Sequence, residues 1–95
     1  MLLSKAIKYR IEKLLKENDM TSYSLAMSAG IPPSTLNDFF RGKVTLPRID
    51  NILHICEGFN IELKDFFDDP IFKNVEFDRE NNTLSWLIFN QDIFM

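Results

Sequence analysis

The groups in this sequence best placed to do chemistry are its cations. Eight of the eleven lysines and arginines fall in residues 1–48 (Lys5, Lys8, Arg10, Lys13, Lys16, Arg41, Lys43, Arg48) against four acids (Glu12, Glu17, Asp19, Asp38), so this half carries +4. Residues 49–95 hold three cations against ten acids, or −7, which brings the chain to −3. Such a split permits a basic face toward phosphate while the acidic half points away. Other chemistry finds few parts. His54 and Cys56 stand two residues apart without further ligands clustered near them, so no metal is expected. Cys56, alone in the chain, cannot form an internal disulfide and reads as a small core residue. No Ser/His/Asp set and no phosphate-cradling glycine loop is present, so no enzyme, catalytic residue, cofactor or small-molecule ligand is expected.

Those cations must be positioned by a chain of 95 residues, the size of one domain, whose 45% apolar and 26% charged content is that of an ordinary globular protein. No stretch has the apolar length of a membrane span or a signal peptide, which predicts a cytoplasmic protein with no membrane partner. From Ser4 to Asn18, Ile7, Ile11, Leu14 and Leu15 lie on one helical stripe, with Lys8, Glu12, Lys13, Lys16 and Glu17 opposite. Met20-Thr21-Ser22 offers a hydroxyl N-cap to a second helix reaching Ala29, with Leu25, Ala26 and Ala29 inward. Gly30 can take the positive φ of an abrupt stop, and Pro33 suits the first position of a third helix running to about Arg41. After Gly42 and the loop 43–47, a fourth helix of about Arg48 to Glu57 turns Ile49, Ile52, Leu53 and Cys56 inward, and Gly58 is expected to stop it. A brief fifth helix carries Leu63, Phe66 and Phe67 and ends at Asp68-Asp69-Pro70.

Five short helices thus complete an all-helical domain in residues 1–69. Residues 70–95 form an extension with a different pattern: apolar and acidic residues alternate in Val75-Glu76-Phe77-Asp78, and alternation returns in 83–89. Arg79-Glu80-Asn81-Asn82 between them suits a tight turn, so a short C-terminal β-hairpin is expected.

The small residue Ala26, the glycine at 30 and the apolar anchors Ile31 and Leu36 let two short helices cross steeply, as in a helix-turn-helix. The span from Met20 through Ser22-Tyr23-Ser24-Leu25-Ala26, Ala29-Gly30-Ile31 and Pro33-Ser34-Thr35-Leu36 to Arg41-Gly42 resembles the signature of the Cro/C1-type, or Xre-like, helix-turn-helix regulators. The likeness continues through Pro47, Ile49, Ile52 and residues 60–67, covering about residues 5–68. It implies a five-helix lambda-repressor-like domain that binds double-stranded DNA as a small transcriptional regulator, most often a repressor, with its third helix in the major groove.

Carried over by position, that docking gives Pro33, Ser34, Asn37 and Asp38 to base edges, with Thr35 nearby. Asn can pair bidentately with adenine, Ser can donate or accept, and Asp only accepts, as from a cytosine amine. Phosphate contacts fall to Thr21, Ser22 and Tyr23 at the start of the second helix, where N–H groups and the positive dipole end meet anions, and to Arg41, Lys43 and Arg48. Two departures from the family pattern stand out. Ser22 replaces a common Gln, which shortens its reach, and Leu15 and Phe40 replace an Arg/Glu pair, so a hydrophobic contact substitutes for a buried ion pair. Asp38 either reads cytosine, pairs with Arg41, or marks weak DNA binding.

Members of the family commonly bind two-fold sites as dimers. Phe77, Trp86 and Ile88 in the extension are the candidate homodimer contacts; the same segment could instead cover its own core. A rival reading is a protein-interaction module that keeps the fold, favoured by overall acidity and Asp38 and opposed by Lys43 and Arg48.

Overall fold

The computed structural model describes residues 1–43 and 46–78. Within them lie α1 (Leu3–Glu17), α2 (Ser22–Ala29), α3 (Pro33–Phe40), α4 (Ile49–Phe59) and α5 (Leu63–Phe67), followed by a 3-10 turn at Pro70–Phe72. The five expected helices are present, close to their expected ends. No helix among the described residues is long and apolar enough to cross a membrane.

One device ends the first four helices: a residue in the left-handed region, at Asp19, Gly30, Gly42 and Asn60 (φ 53, 72, 80 and 59°). In each case the next residue's N–H reaches back five positions: Met20 to Leu15 O, Ile31 to Ala26 O, Lys43 to Asp38 O and Ile61 to Cys56 O. These bonds satisfy carbonyls that a helix end leaves open and fix the angle at which the chain departs.

The core is one cluster. Ile7, Ile11 and Leu14 from α1 meet Leu25, Ala26 and Ala29 from α2, Leu36 and Phe39 from α3, Ile52, Ile55, Cys56 and Phe59 from α4, and Phe66 from α5. Leu15 and Phe40, the two positions where the family carries an ion pair, both lie half-buried against this cluster. Phe72 also packs on it, and its ring lies 5.0 Å from that of Phe67 and 6.1 Å from that of Phe66.

Helix α4 differs from expectation. Gly58 lies inside it, and the helix runs to Phe59 with Asn60 as the left-handed cap. The two added residues bring Phe59 onto the inward stripe with Ile52, Ile55 and Cys56. Leu53, roughly 100° round the helix from Ile52, is left exposed, as is Ile49 in the first turn. Gly58 serves instead as a contact point: a Cβ there would stand 3.0 Å from Leu25 Cδ1 and 3.2 Å from both Cβ and N of Ala29. Absence of a side chain is what lets α4 seat against α2, its main packing partner. In α5, Phe66 is fully buried, whereas Phe67 lies at the surface.

The expected C-terminal β-hairpin is not supported. Among the described residues the extension makes a single parallel bridge, between Leu2 and Glu76, with Leu3 N–H donating to Glu76 O and Glu76 N–H to Met1 O. Asp78 then accepts from Ser4 N–H at 2.8 Å and from the Ser4 hydroxyl. Extended backbone at Leu2 offers an edge, and the first turn of α1, which has no side-chain cap of its own, offers an orphan N–H that a carboxylate satisfies. The expected turn at 79–82 and return strand at 83–89 lie outside the described residues.

Candidate nucleic-acid interface

Helix α3 is amphipathic by simple spacing. Leu36 and Phe39 are buried, and Ser34, Asn37 and Arg41 are exposed on the opposite side, with Asp38 half-exposed on the same stripe. Pro33 and Thr35 flank that stripe, both half-buried. Pro32 stands at the N-cap and Pro33 at the first helical position, so the helix opens without a side-chain cap and without an N–H at its first residue. Gly30, Ile31 and the two prolines hold α2 and α3 at the crossing their small and apolar residues allow.

The start of α2 is built around Thr21. Its hydroxyl accepts from Ser24 N–H at 3.1 Å, and Ser24 Oγ accepts from Thr21 N–H at 3.0 Å, a reciprocal cap. Thr21's side chain is therefore engaged within the helix. The N–H groups of Ser22 and Tyr23 have no acceptor among the described residues, and the Tyr23 side chain is exposed. Two open donors at the positive end of a helix are a surface that attracts an anion.

Beyond α3, Lys43 and Arg48 extend into solvent, with side chains 66% and 82% exposed, and Arg41 is exposed at the end of α3. Asp38 lies 4.0 Å from Lys43 Nζ and makes no ion pair with Arg41 among the described residues. The left-handed turn at Gly42 folds Lys43 back toward Asp38, which a straight helical spacing of three residues does not anticipate. Arg48 stands 3.3 Å from Asp50, and pairs this exposed contribute little.

Two cations counted in the basic half turn out to be structural. Arg10 is buried and donates from Nε to Phe66 O at 2.7 Å, from Nη2 to Asp65 O at 2.8 Å and from Nη1 to Asp69 at 3.3 Å. Lys13 reaches the same carboxylate at 2.9 Å. The signal was present in the sequence: Arg10 falls three residues after Ile7 and four before Leu14, on the apolar stripe of α1. A cation there points into the core and must be satisfied by it. Asp69 also caps the 3-10 turn through Ile71 N–H, and this bond, then Lys13, then Arg10 hold its carboxyl below the usual carboxylate range.

His54 is exposed beside Glu57, and Cys56 is fully buried, where loss of solvation pushes its thiol up. Among the described residues no three His, Cys, Asp or Glu side chains gather as a metal site.

A two-helix unit of this kind, with an outward third helix and open donors on the second, matches the family model of the Cro/C1-type HTH DNA-binding domain across residues 10–70. The chain belongs to that family. Among solved structures, this Cro/C1-type domain is similar to one titled "Crystal structure of the prophage Lp1 protein 11", with a TM-score of 0.69 and 29% identity, covering 79% of this chain and 100% of that one. No curated protein matches it. The family's DNA-binding character thus rests on a match that spans α2, α3 and the turn between them. The Phe77 side chain, among the candidate dimer contacts, is 72% exposed, and Trp86 and Ile88 lie outside the described residues.

Proposed function

We propose that this Cro/C1-type domain is a sequence-specific DNA-binding regulator, acting in the cytoplasm as a repressor, that lays α3 in the major groove. The observation that carries the reading is the exposed stripe Ser34, Asn37 and Asp38 opposite buried Leu36 and Phe39, on the helix that follows the turn. Asn37 reads a base edge, most naturally adenine, and Ser34 assists, with Pro33 and Thr35 fitting the groove walls. Asp38, neutralised in part by Lys43, accepts from a cytosine amine. The open N–H groups of Ser22 and Tyr23, next to Thr21, together with Arg41, Lys43 and Arg48, hold phosphates.

Footprinting on duplex DNA upstream of the protein's own gene tests this. A protected two-fold sequence is expected. Asn37→Ala then costs about 1–3 kcal/mol and relaxes preference at one position, while Lys43→Ala weakens binding evenly across sequences and flattens its salt dependence by about 1. Base preference unchanged in Asn37→Ala would show that the reading face is misassigned.

The same reading includes a homodimer, since a single short helix sparse in positive charge covers only one half-site and two-fold sites place half-sites about 34 Å apart. Phe77 supports it: a large exposed aromatic ring on a segment pinned to α1 by Glu76 and Asp78. The informative truncation falls after Asp78, because Asp69, Phe72 and residues 75–78 are joined to the helical domain. Light scattering is expected to show a dimer for the full chain and a monomer for residues 1–78 carrying Phe77→Ser; equal masses would exclude Phe77 and residues 79–95 as the interface.

A further inference from the structure

Between the first turns of α1 and the end of α3 lies an open cleft of about 270 Å³ lined by Ser4, Lys5, Lys8, Phe39, Phe40 and Arg41. It is the meeting place of three cations from two elements. Among the described residues none of the three has an acidic partner within ion-pair distance, whereas Arg10, Lys13, Lys43, Arg48 and Lys64 all do. Helix-end chemistry does not account for them. At the end of α3 the carbonyls of Asn37, Asp38 and Phe39 already receive N–H donors from Arg41, Lys43 and Gly42. Asp78, which reaches Ser4 at the edge of the cleft, is engaged by both donors of Ser4. The buried Phe39 and half-buried Phe40 give the lysine stems an apolar wall to lie on while their ammonium groups stay wet. The cleft is open to solvent, so a phosphate group can be presented to it from outside.

We propose that Lys5 and Lys8 join Arg41 to extend the phosphate-binding surface onto α1, where it takes the DNA backbone beside the segment held by Lys43. The inference rests on the DNA-binding reading above and extends its footprint: Arg41 and Gly42 line the cleft and run directly into Lys43, so one surface continues from the end of the reading helix onto α1. Helix α1 thereby becomes part of the interface.

Its test is the salt dependence of duplex binding by the full chain, compared with Lys5→Gln/Lys8→Gln and with Lys64→Gln, an exposed lysine on α5, as control. Each phosphate neutralised contributes about −0.9 to the slope of log K against log salt. The double variant is expected to flatten that slope by about 1–2, to weaken binding at low salt and to leave base preference unchanged. A slope altered no more than in Lys64→Gln, with wild-type binding intact, overturns this surface while leaving the DNA-binding reading standing. Absence of salt-dependent duplex binding by the wild-type chain overturns both. Titration with inorganic phosphate at constant ionic strength, followed by NMR at Lys5 and Lys8, separates the sources. Saturable shifts with free phosphate and no change in DNA slope would mark a free-anion site and overturn the backbone assignment.

Discussion

Arg10→Met is expected to lower the free energy of unfolding by about 3–5 kcal/mol, the usual consequence of removing one partner from a buried, hydrogen-bonded charge. The Arg10 side chain is 10% exposed and joins α1 to the end of α5 through Asp65 O, Phe66 O and Asp69. Met keeps much of the apolar stem and removes the guanidinium, so the loss reports on the hydrogen bonds. Phe66 O in α5 loses its donor, while Asp65 O keeps the N–H of Asp68, and a buried carbonyl left unpaired costs about 1–3 kcal/mol. Lys13→Met, which removes a largely exposed partner of the same carboxylate, is expected to cost under about 1 kcal/mol. Urea unfolding of both variants at neutral pH measures the contrast; equal costs would mean that the pair, and not the carbonyl clamp, is what matters.

The same site sets an acid limit. Asp69's carboxyl is held below its ordinary value by Ile71 N–H, Lys13 and Arg10, in that order, so its contribution is full above the unfolded carboxylate range, near pH ~4, and fades as pH falls through the folded value. Asp69→Asn is therefore expected to be less stable than wild type at neutral pH and to show a shallower loss between pH 5 and about 2.

How legible the molecule was depends on how local each feature is. Helices α1 to α3 and the turn between α2 and α3 follow from apolar spacing, a hydroxyl cap, Gly30 and Pro33, all of which act within a few residues. Features decided by a distant partner were less visible. Gly58 reads locally as a stop, yet it is retained inside α4 because α2 lies against it; the stop falls to Asn60, whose side chain tolerates the left-handed region. Period-2 alternation at 75–78 pointed to a hairpin with a partner downstream, but the one bridge formed there, at Glu76, is to Leu2, at the far end of the chain. On the candidate interface, the outward stripe of α3 was readable from helical periodicity. The pairing of Asp38 with Lys43 was not, because it depends on the direction the chain takes at Gly42. The cationic half was overcounted for a related reason: net charge does not reveal that Arg10 points inward.

Gly58→Val is expected to cost about 3 kcal/mol, at the upper end of what overpacking imposes on a filled core, and to weaken DNA binding although residue 58 contacts no DNA. The first added carbon alone would lie 3.0 Å from Leu25 Cδ1 and 3.2 Å from the Ala29 backbone nitrogen, and Leu25 is fully buried. The two methyl groups of valine extend that conflict, and the relief available is a shift of α4 away from α2. Helix α2 is also the partner against which α3 is set, so such a shift changes the angle at which Ser34, Asn37 and Asp38 are presented. Gly58→Ala separates the terms. It gains up to about 1 kcal/mol in helix propensity while meeting the same first contacts, so it should lie close to wild type. Chemical unfolding, together with duplex affinity measured where all three proteins are folded, gives the decisive comparison. A valine variant as stable and as tight-binding as wild type would show that the close approach of α4 to α2 does not position the reading helix.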